Sequence, residues 1–456
     1  MQQFDDVAQA RPELVAHHYS RALMPAQAIE HWQRAGDVAV LRSGYSEAIG
    51  HLGAALEQLA LLPESPERMK TELALRVKIG PALMAMKSMM APETVENSER
   101  ATRIAEALGD SPEAFMALWG DWLAKNGASR VLEAARRSDD LVALAQRLGN
   151  DEYMLQAHHS RWTNFYGMGD ARISRADTLV GIRLYDRDKH RHHRHIYGGH
   201  DPGVCACGTG ANAAWLCGYA GEAVDLADQA IAIGAEIEHP FSQVIAYMWA
   251  TLACHGTRNY TLARERAEAL LQLCERFGFP AWRGLAMVVS GACRTLAGET
   301  EFGLKLIAEG LVAQRQFGMG SWLGAVLATS AEAHIRAGNL GRALELLAEA
   351  IAHAEKSHAK VLLPEVQRLH AEVQLLSGQI DTPQAIARVE AAAALARQQG
   401  ALTLEWRATM VLARLHAGLG RDAEARTMLR DNYAAFTQGF ASPDLVEGKQ
   451  LLDSLS

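Results

Sequence analysis

Ala223-Val224, Ala227 and Ala230-Ile231 recur forty residues on as Ala263-Arg264, Ala267 and Leu270-Leu271. The same set returns as Gly303-Leu304, Ile307 and Gly310-Leu311, and again as Ala343-Leu344, Leu347 and Ala350-Ile351. After a slip of two residues it stands at Ala385-Ile386, Val389 and Ala392-Ala393, and then at Ala425. Near the start, Ala48-Ile49, Leu52 and Ala55-Leu56 copy it. Positions i, i+1, i+4, i+7 and i+8 share one face of an α-helix, so each copy predicts an amphipathic helix with a buried stripe. The first position is small every time, which lets a neighbouring helix come close.

Gly218, Gly298, Gly338, Gly378 and Gly418 keep the same beat, with Arg258 at the missing station. The first four fall between an upstream helix and a striped one, where a left-handed residue ends the first helix. The unit is therefore helix, tight turn, helix. One such pair cannot bury its own apolar face, so pairs must stack. About ten can be placed: 26–61, 66–109, 112–148, 151–184, 202–234, 239–278, 279–318, 321–357, 363–400 and 403–436. The expected fold is an all-α, tetratricopeptide-like α-solenoid of about ten antiparallel helix pairs. Irregular pairs fill 1–184, a His/Arg-rich connector 185–201, and regular repeats of about forty residues 202–456.

All nine tryptophans fall in the first helix of a pair under this parsing. The two helices of each pair therefore have different jobs. In solenoids of this class the first helices line the concave face, where an aromatic ring can anchor a partner. Trp119, Trp162, Trp215, Trp249, Trp282 and Trp322 are the partner-binding candidates. The competing reading is that each ring fills the wedge between the helices of its own pair.

The 456 residues are 49% hydrophobic and 21% charged, with a net charge of −8. Such a chain buries a core and is not wholly disordered. Its mildly acidic balance argues against a dedicated binder of nucleic acid or anionic membranes. No signal peptide is visible after Met1, no run is long enough to span a membrane, and six cysteines read as reduced thiols. These features lead us to expect a cytoplasmic protein.

One stretch departs from the pattern: Tyr185-Asp186-Arg187-Asp188-Lys189-His190-Arg191-His192-His193-Arg194-His195-Ile196-Tyr197-Gly198-Gly199-His200, followed by Asp201-Pro202-Gly203-Val204-Cys205-Ala206-Cys207. Asp201 and Pro202 predict a helix N-terminus, and the His/Arg run a solvated connector or the end of the preceding helix. Any metal held here would draw on His195, His200, Cys205 and Cys207. No recognised ligand spacing is present, however, and the interleaved Arg and Lys would repel a cation. An anion would instead meet His192, His193, Arg194 and His200. Gly208-Thr209-Gly210-Ala211-Asn212-Ala213 fits G-x-G-x-x-A, but no strand feeds it, so its glycines are expected to serve helix packing. No nucleophile, phosphate loop or paired acid and base stands out. No catalytic residue and no cofactor are expected.

The stretches Glu13-Leu14-Val15-Ala16-His17-His18-Tyr19, 28–36 (AIEHWQRAG), Gly80-Pro81-Ala82-Leu83-Met84-Ala85 and Ala91-Pro92-Glu93, and above all 197–205 (YGGHDPGVC), carry a resemblance. Over about 10–440 the chain resembles the C-terminal tetratricopeptide-like region of large bacterial multidomain proteins. In those proteins an adenylate/guanylate cyclase (or a kinase or DNA-binding domain) and an AAA/STAND-type ATPase precede the repeats. The resemblance implies a sensor or scaffold arm without the modules that carry nucleotide chemistry. The expected function is a non-catalytic interaction and regulatory module in signal transduction. Its partner is a protein or peptide in the concave groove, with a cyclase or ATPase module among the candidates. The alternatives are a sensor of small molecules or anions at the His-rich loop, and an orphaned cyclase/ATPase fragment without activity of its own.

Overall fold

The computed structural model describes residues 11–42, 44–87, 91–316 and 320–455. Among the described residues it is 83% helical and holds 23 helices and no strand, the all-α, tetratricopeptide-like solenoid class that the repeats predict. The regular repeats run Pro202–Leu216 with Ala220–Glu236, Pro240–Gly256 with Tyr260–Phe277, Pro280–Leu296 with Thr300–Gln316, and Gly320–Arg336 with Leu340–Ser357. Leu363–Leu376 with Thr382–Gln399, and Leu402–Gly418 with Asp422–Tyr433, complete them. Earlier pairs are Pro25–Leu41 with Tyr45–Ala60, Pro66–Lys87 with Pro92–Leu108, Pro112–Gly127 with Val131–Leu148, and Asp151–Met168 with Ala171–Leu184. Two helices outside the repeat, Pro12–Arg21 and Pro443–Ser454, begin and end the described chain.

Local chemistry sets these boundaries. Many helices open on proline, whose missing N–H costs nothing at a first turn. Asp201 accepts from the Gly203 and Val204 amides at 2.9 and 3.2 Å. Asp381 and Gln384 form a reciprocal capping box. The helices close as the spacing requires: Gly218, Gly298, Gly338 and Gly378 have φ of +93°, +95°, +75° and +67°. The fifth station differs, because Gly418 is the last residue of its helix and Gly420, at φ +73°, makes the turn. The two-residue slip ahead of Ala385 moves every later station by the same amount.

Two compact units divide the chain. The first takes in Met1–Ala128, Arg136–Ser160 and Asp188–Gly199; its apolar clusters centre on Ile29, Leu52, Leu59, Leu75 and Leu83, and on Leu73, Ile104 and Ala105. The second takes in Ser129–Ala135, Arg161–Arg187 and His200–Ser456 and holds the largest cluster, from Tyr166 to Leu404. The small first positions of the stripe, Ala223, Ala263, Ala343, Ala385 and Ala425, are all buried. Gly208 serves packing, as expected, since a Cβ there would lie 2.6 Å from the Trp249 side chain.

Arg258 holds a station that glycine takes elsewhere, with φ at +60°. A left-handed L-residue costs about 1–2 kcal/mol. Its side chain offsets this by reaching Glu447 at 2.6 Å and Asp444 at 3.3 Å. Arg258→Ala keeps the backbone cost and loses both partners, whereas Arg258→Gly loses the partners but relaxes the backbone. We expect both variants to be less stable than the parent in urea, with the glycine variant about 1 kcal/mol above the alanine one. Equal midpoints for the two would contradict this account.

Candidate interaction surface

Four of the six candidate tryptophans are buried. Trp119 packs on Trp122 and Tyr197 in the first unit, and its indole N–H donates to the Gln156 carbonyl at 3.2 Å. Trp162, Trp215 and Trp249 lie in the interior of the second unit, where Gly181, Gly256 and Gly208 leave room for their rings. These four rings have almost no surface open to solvent.

Trp282 and Trp322 are only half-buried. Each is the third residue of a first helix, in its first turn. They join a continuous run in the second unit. Phe241 meets Phe279 at 5.2 Å between ring centroids and Trp282 at 6.1 Å. Trp282 meets Trp322 at 6.4 Å, and Trp322 stands edge-on to Trp249 at 4.8 Å. His200 abuts Phe241 at 6.1 Å. Phe241 and Phe279 escaped the sequence reading. The signal that finds them is their position beside the helix-opening residues Pro240 and Pro280.

A second feature without any sequence signal is an ion network in the same unit. Arg407 donates to both Asp444 oxygens at 2.9 and 3.1 Å, to Glu365 at 3.3 Å and to the Gly256 carbonyl at 2.7 Å. Its guanidinium also lies 5.5 Å from the Trp215 ring centre. Arg368 pairs with Glu365 at 2.7 Å and with Glu372. Burial pushes the Glu365 carboxyl up, but the Arg368 and Arg407 guanidiniums outweigh it and hold the group at about 2.

The His/Arg run is neither a wholly solvated connector nor the end of the preceding helix, which stops at Leu184. It forms a short helix, Arg187–His190, and a 3-10 turn, His193–His195, that turn His190 and His193 inward. Lys189, Arg191 and His192 face solvent, while the rings of His190 and His193, three residues apart, find cover. His193 packs edge-on to Tyr197 at 5.1 Å. Burial, then the neighbouring His192 and His190, push its imidazole down to about 4, so the ring is neutral at pH 7. His195 is exposed, Arg194 half-buried, and His200 belongs to the second unit with Cys205 and Cys207. Both thiols are buried; Cys205 contacts the Thr209 hydroxyl at 3.7 Å, and burial pushes Cys207 up to about 12. Burial raises the other four thiols as well.

No protein-family profile matches the sequence. An uncharacterized protein of Rhizobium meliloti (strain 1021) is 25% identical over 309 residues, which cover 66% of this chain and 30% of that protein. The chain thus matches less than a third of the curated relative's length. Among solved structures, the Rap protein complexed with Competence and Sporulation Factor is similar with a TM-score of 0.57. That likeness covers 86% of this chain and all of Rap at 10% identity, and it shows the fold alone. The quorum sensor NprR from B. thuringiensis in its apo form is 12% identical, with a TM-score of 0.44 over 89% of this chain and 97% of that one. A STAND-type signal transduction ATPase with a tetratricopeptide repeat sensor, from Pyrococcus horikoshii, is similar at 12% identity, with a TM-score of 0.38 over 94% of this chain and 74% of that one. No helix among the described residues is long and apolar enough to cross a membrane.

Proposed function

We propose that this chain is a non-catalytic helical-repeat module that binds a protein or peptide across the first helices of its second unit. The observation that carries this reading is the aromatic run of Phe241, Phe279, Trp282 and Trp322, which places half-buried rings on three successive repeats. Rings held by neighbours on one side and open on the other are what binding hot spots require, because little side-chain entropy is lost on contact. Trp282 and Trp322 are the anchors; Trp119, Trp162, Trp215 and Trp249 hold the scaffold that presents them. The Rap structure, solved with Competence and Sporulation Factor bound, is a precedent for a ligand-binding role in this fold.

The resemblance to the repeat regions of cyclase- and ATPase-linked proteins suggests what such binding controls. Occupancy of the groove would bias a cyclase or ATPase module, on the same polypeptide or encoded separately, by preferring one of two states. The chain's match to under a third of its curated relative is consistent with an arm of something larger. Raised thiol pKa values support the non-catalytic reading, since a nucleophilic cysteine needs the opposite shift.

The test is selection of peptides against the whole chain from a random library, followed by titration with the Trp282→Ala/Trp322→Ala double variant. Each anchor is expected to contribute about 2 kcal/mol, roughly 30-fold in affinity. Because both rings also pack on their neighbours, affinities are compared at a temperature where circular dichroism shows the double variant folded. Selected peptides that bind the folded double variant as tightly as the parent would refute the reading.

A further inference from the structure

The first unit brings Glu152 to the adjacent His192 and His193, about forty residues further along the chain. His192 Nε2 stands 3.7 Å from Glu152 Oε2, and His193 Nε2 stands 3.5 Å from the same oxygen. All three donor atoms lie within 4.8 Å of one another. Direct N–H···O hydrogen bonds would close to about 2.9 Å. A tetrahedral ion with bonds of about 2.0–2.1 Å holds its donors roughly 3.3 Å apart. Both imidazole–carboxylate separations are therefore nearer to the spacing of two ligands on one ion than to that of a direct pair.

Two further observations bear on the sign of the occupant. The ion-pair partners of the Glu152 carboxylate are imidazoles: among the described residues no Lys or Arg lies within ion-pair distance of it, although Arg191 and Arg194 flank its histidine neighbours in sequence. Arg187, at the start of the run, pairs instead with Glu236. An anion would meet that carboxylate and be repelled, whereas a cation would be neutralised by it. Second, His193 is braced from behind. The side-chain amide of buried Gln156 sits 2.9 Å from His193 Nδ1, and its other end meets His159 Nδ1 at 3.0 Å. As it stands the amide N–H donates to Nδ1, which puts the ring proton on Nε2. An ion at Nε2 requires a half-turn of that amide, so that its oxygen accepts from Nδ1–H and the Nε2 lone pair is directed at Glu152. A hydrogen-bonded partner behind the ring is the usual support of a metal-ligating histidine.

We propose that Glu152, His192 and His193 form a site for a divalent transition-metal ion. Two imidazoles and one carboxylate suit Zn²⁺ best among the common ions. His192 lies at the solvent edge, so water completes the coordination. Because Glu152 belongs to the helix Asp151–Met168, His193 opens the 3-10 segment and His192 caps it, the ion would tie that segment to the helix and stabilise the folded unit.

The experiment uses the whole chain, stripped with EDTA and dialysed, and titrated calorimetrically with Zn²⁺ alone. The expected result is one Zn²⁺ per chain at micromolar affinity or tighter, with a higher thermal midpoint. Glu152→Gln and His192→Ala are each expected to weaken binding by tenfold or more, while His195→Ala, an exposed histidine of the same run, leaves it unchanged. Glu152→Gln is nearly isosteric and at the surface of the cluster, so it keeps the test open should a His193 variant fail to fold. Absence of stoichiometric binding would overturn the proposal. So would equal losses in His195→Ala and His192→Ala, the behaviour of a loose histidine tract. Neither result bears on peptide binding by the second unit.

Discussion

Arg407→Ala is expected to destabilise the second unit by about 3–5 kcal/mol, the range seen when one partner of a buried ion network is removed. The reason is what the deletion leaves behind. Asp444 keeps only Arg258 at 3.3 Å, the Gly256 carbonyl loses its donor, and Glu365 keeps only Arg368. The Trp215 ring also loses the guanidinium beside it. Because the network links the helices Pro443–Ser454, Leu402–Gly418 and Leu363–Leu376, loss should start at the C-terminal pairs and advance repeat by repeat. Hydrogen exchange of the whole chain would show this as protection falling first in 402–454. A urea midpoint within experimental error of the parent would refute the role assigned to Arg407.

The same network predicts an acid response. Glu365 is held at about 2 in the folded chain, below the ordinary carboxylate range. A depressed carboxyl contributes stability that is fully present above its unfolded value, near pH 4 to 5, and is lost as pH falls towards the folded one. Arg407→Ala removes one of the two guanidiniums that lower it, so the stability gap between parent and variant should narrow as pH falls from about 5 towards 2. A gap that stays the same over that range would locate the lost energy in packing rather than in charge.

Much of the architecture could be read from one spacing. The forty-residue return of a small residue followed by apolar partners at i+4, i+7 and i+8 located both helices of each regular pair to within a few residues. It also led to the left-handed stations, including the one where Arg258 stands for glycine. Periodicity reports which face of a helix is buried, because burial repeats. It does not report how deep a ring lies, so Trp249 and Trp282 looked alike although one is buried and the other half-buried. Nor does it report pairings such as Arg407 with Asp444 or His193 with Glu152, which join turns of chain about forty residues apart through single side chains. Arginine on a helix reads as a solvated residue until the neighbouring helices enclose it.

Gly303→Leu is expected to cost about 4 kcal/mol or more, and Gly303→Ala about 2, although in an isolated helix alanine would gain about 1 over glycine. The sign reverses because the helices Pro280–Leu296 and Thr300–Gln316 touch backbone to backbone. A Cβ on Gly303 would lie 2.5 Å from the Gly291 carbonyl oxygen and 2.3 Å from the Thr295 hydroxyl. Two turns away, Cβ atoms on Gly284 and Gly310 would each come 2.8 Å from the other's carbonyl. No rotamer change relieves a clash with main chain, so the helices must part and expose the stripe that Ile307 and Leu311 bury. Gly324→Ala is the control: it lies inside the helix Gly320–Arg336 with nothing within 4 Å of its Cβ, and should gain about 0.5–1 kcal/mol. Urea midpoints of the three variants decide the matter. If Gly303→Ala stabilised as much as Gly324→Ala, the two helices would have slack between them, and the small first residue of each repeat would lose its explanation.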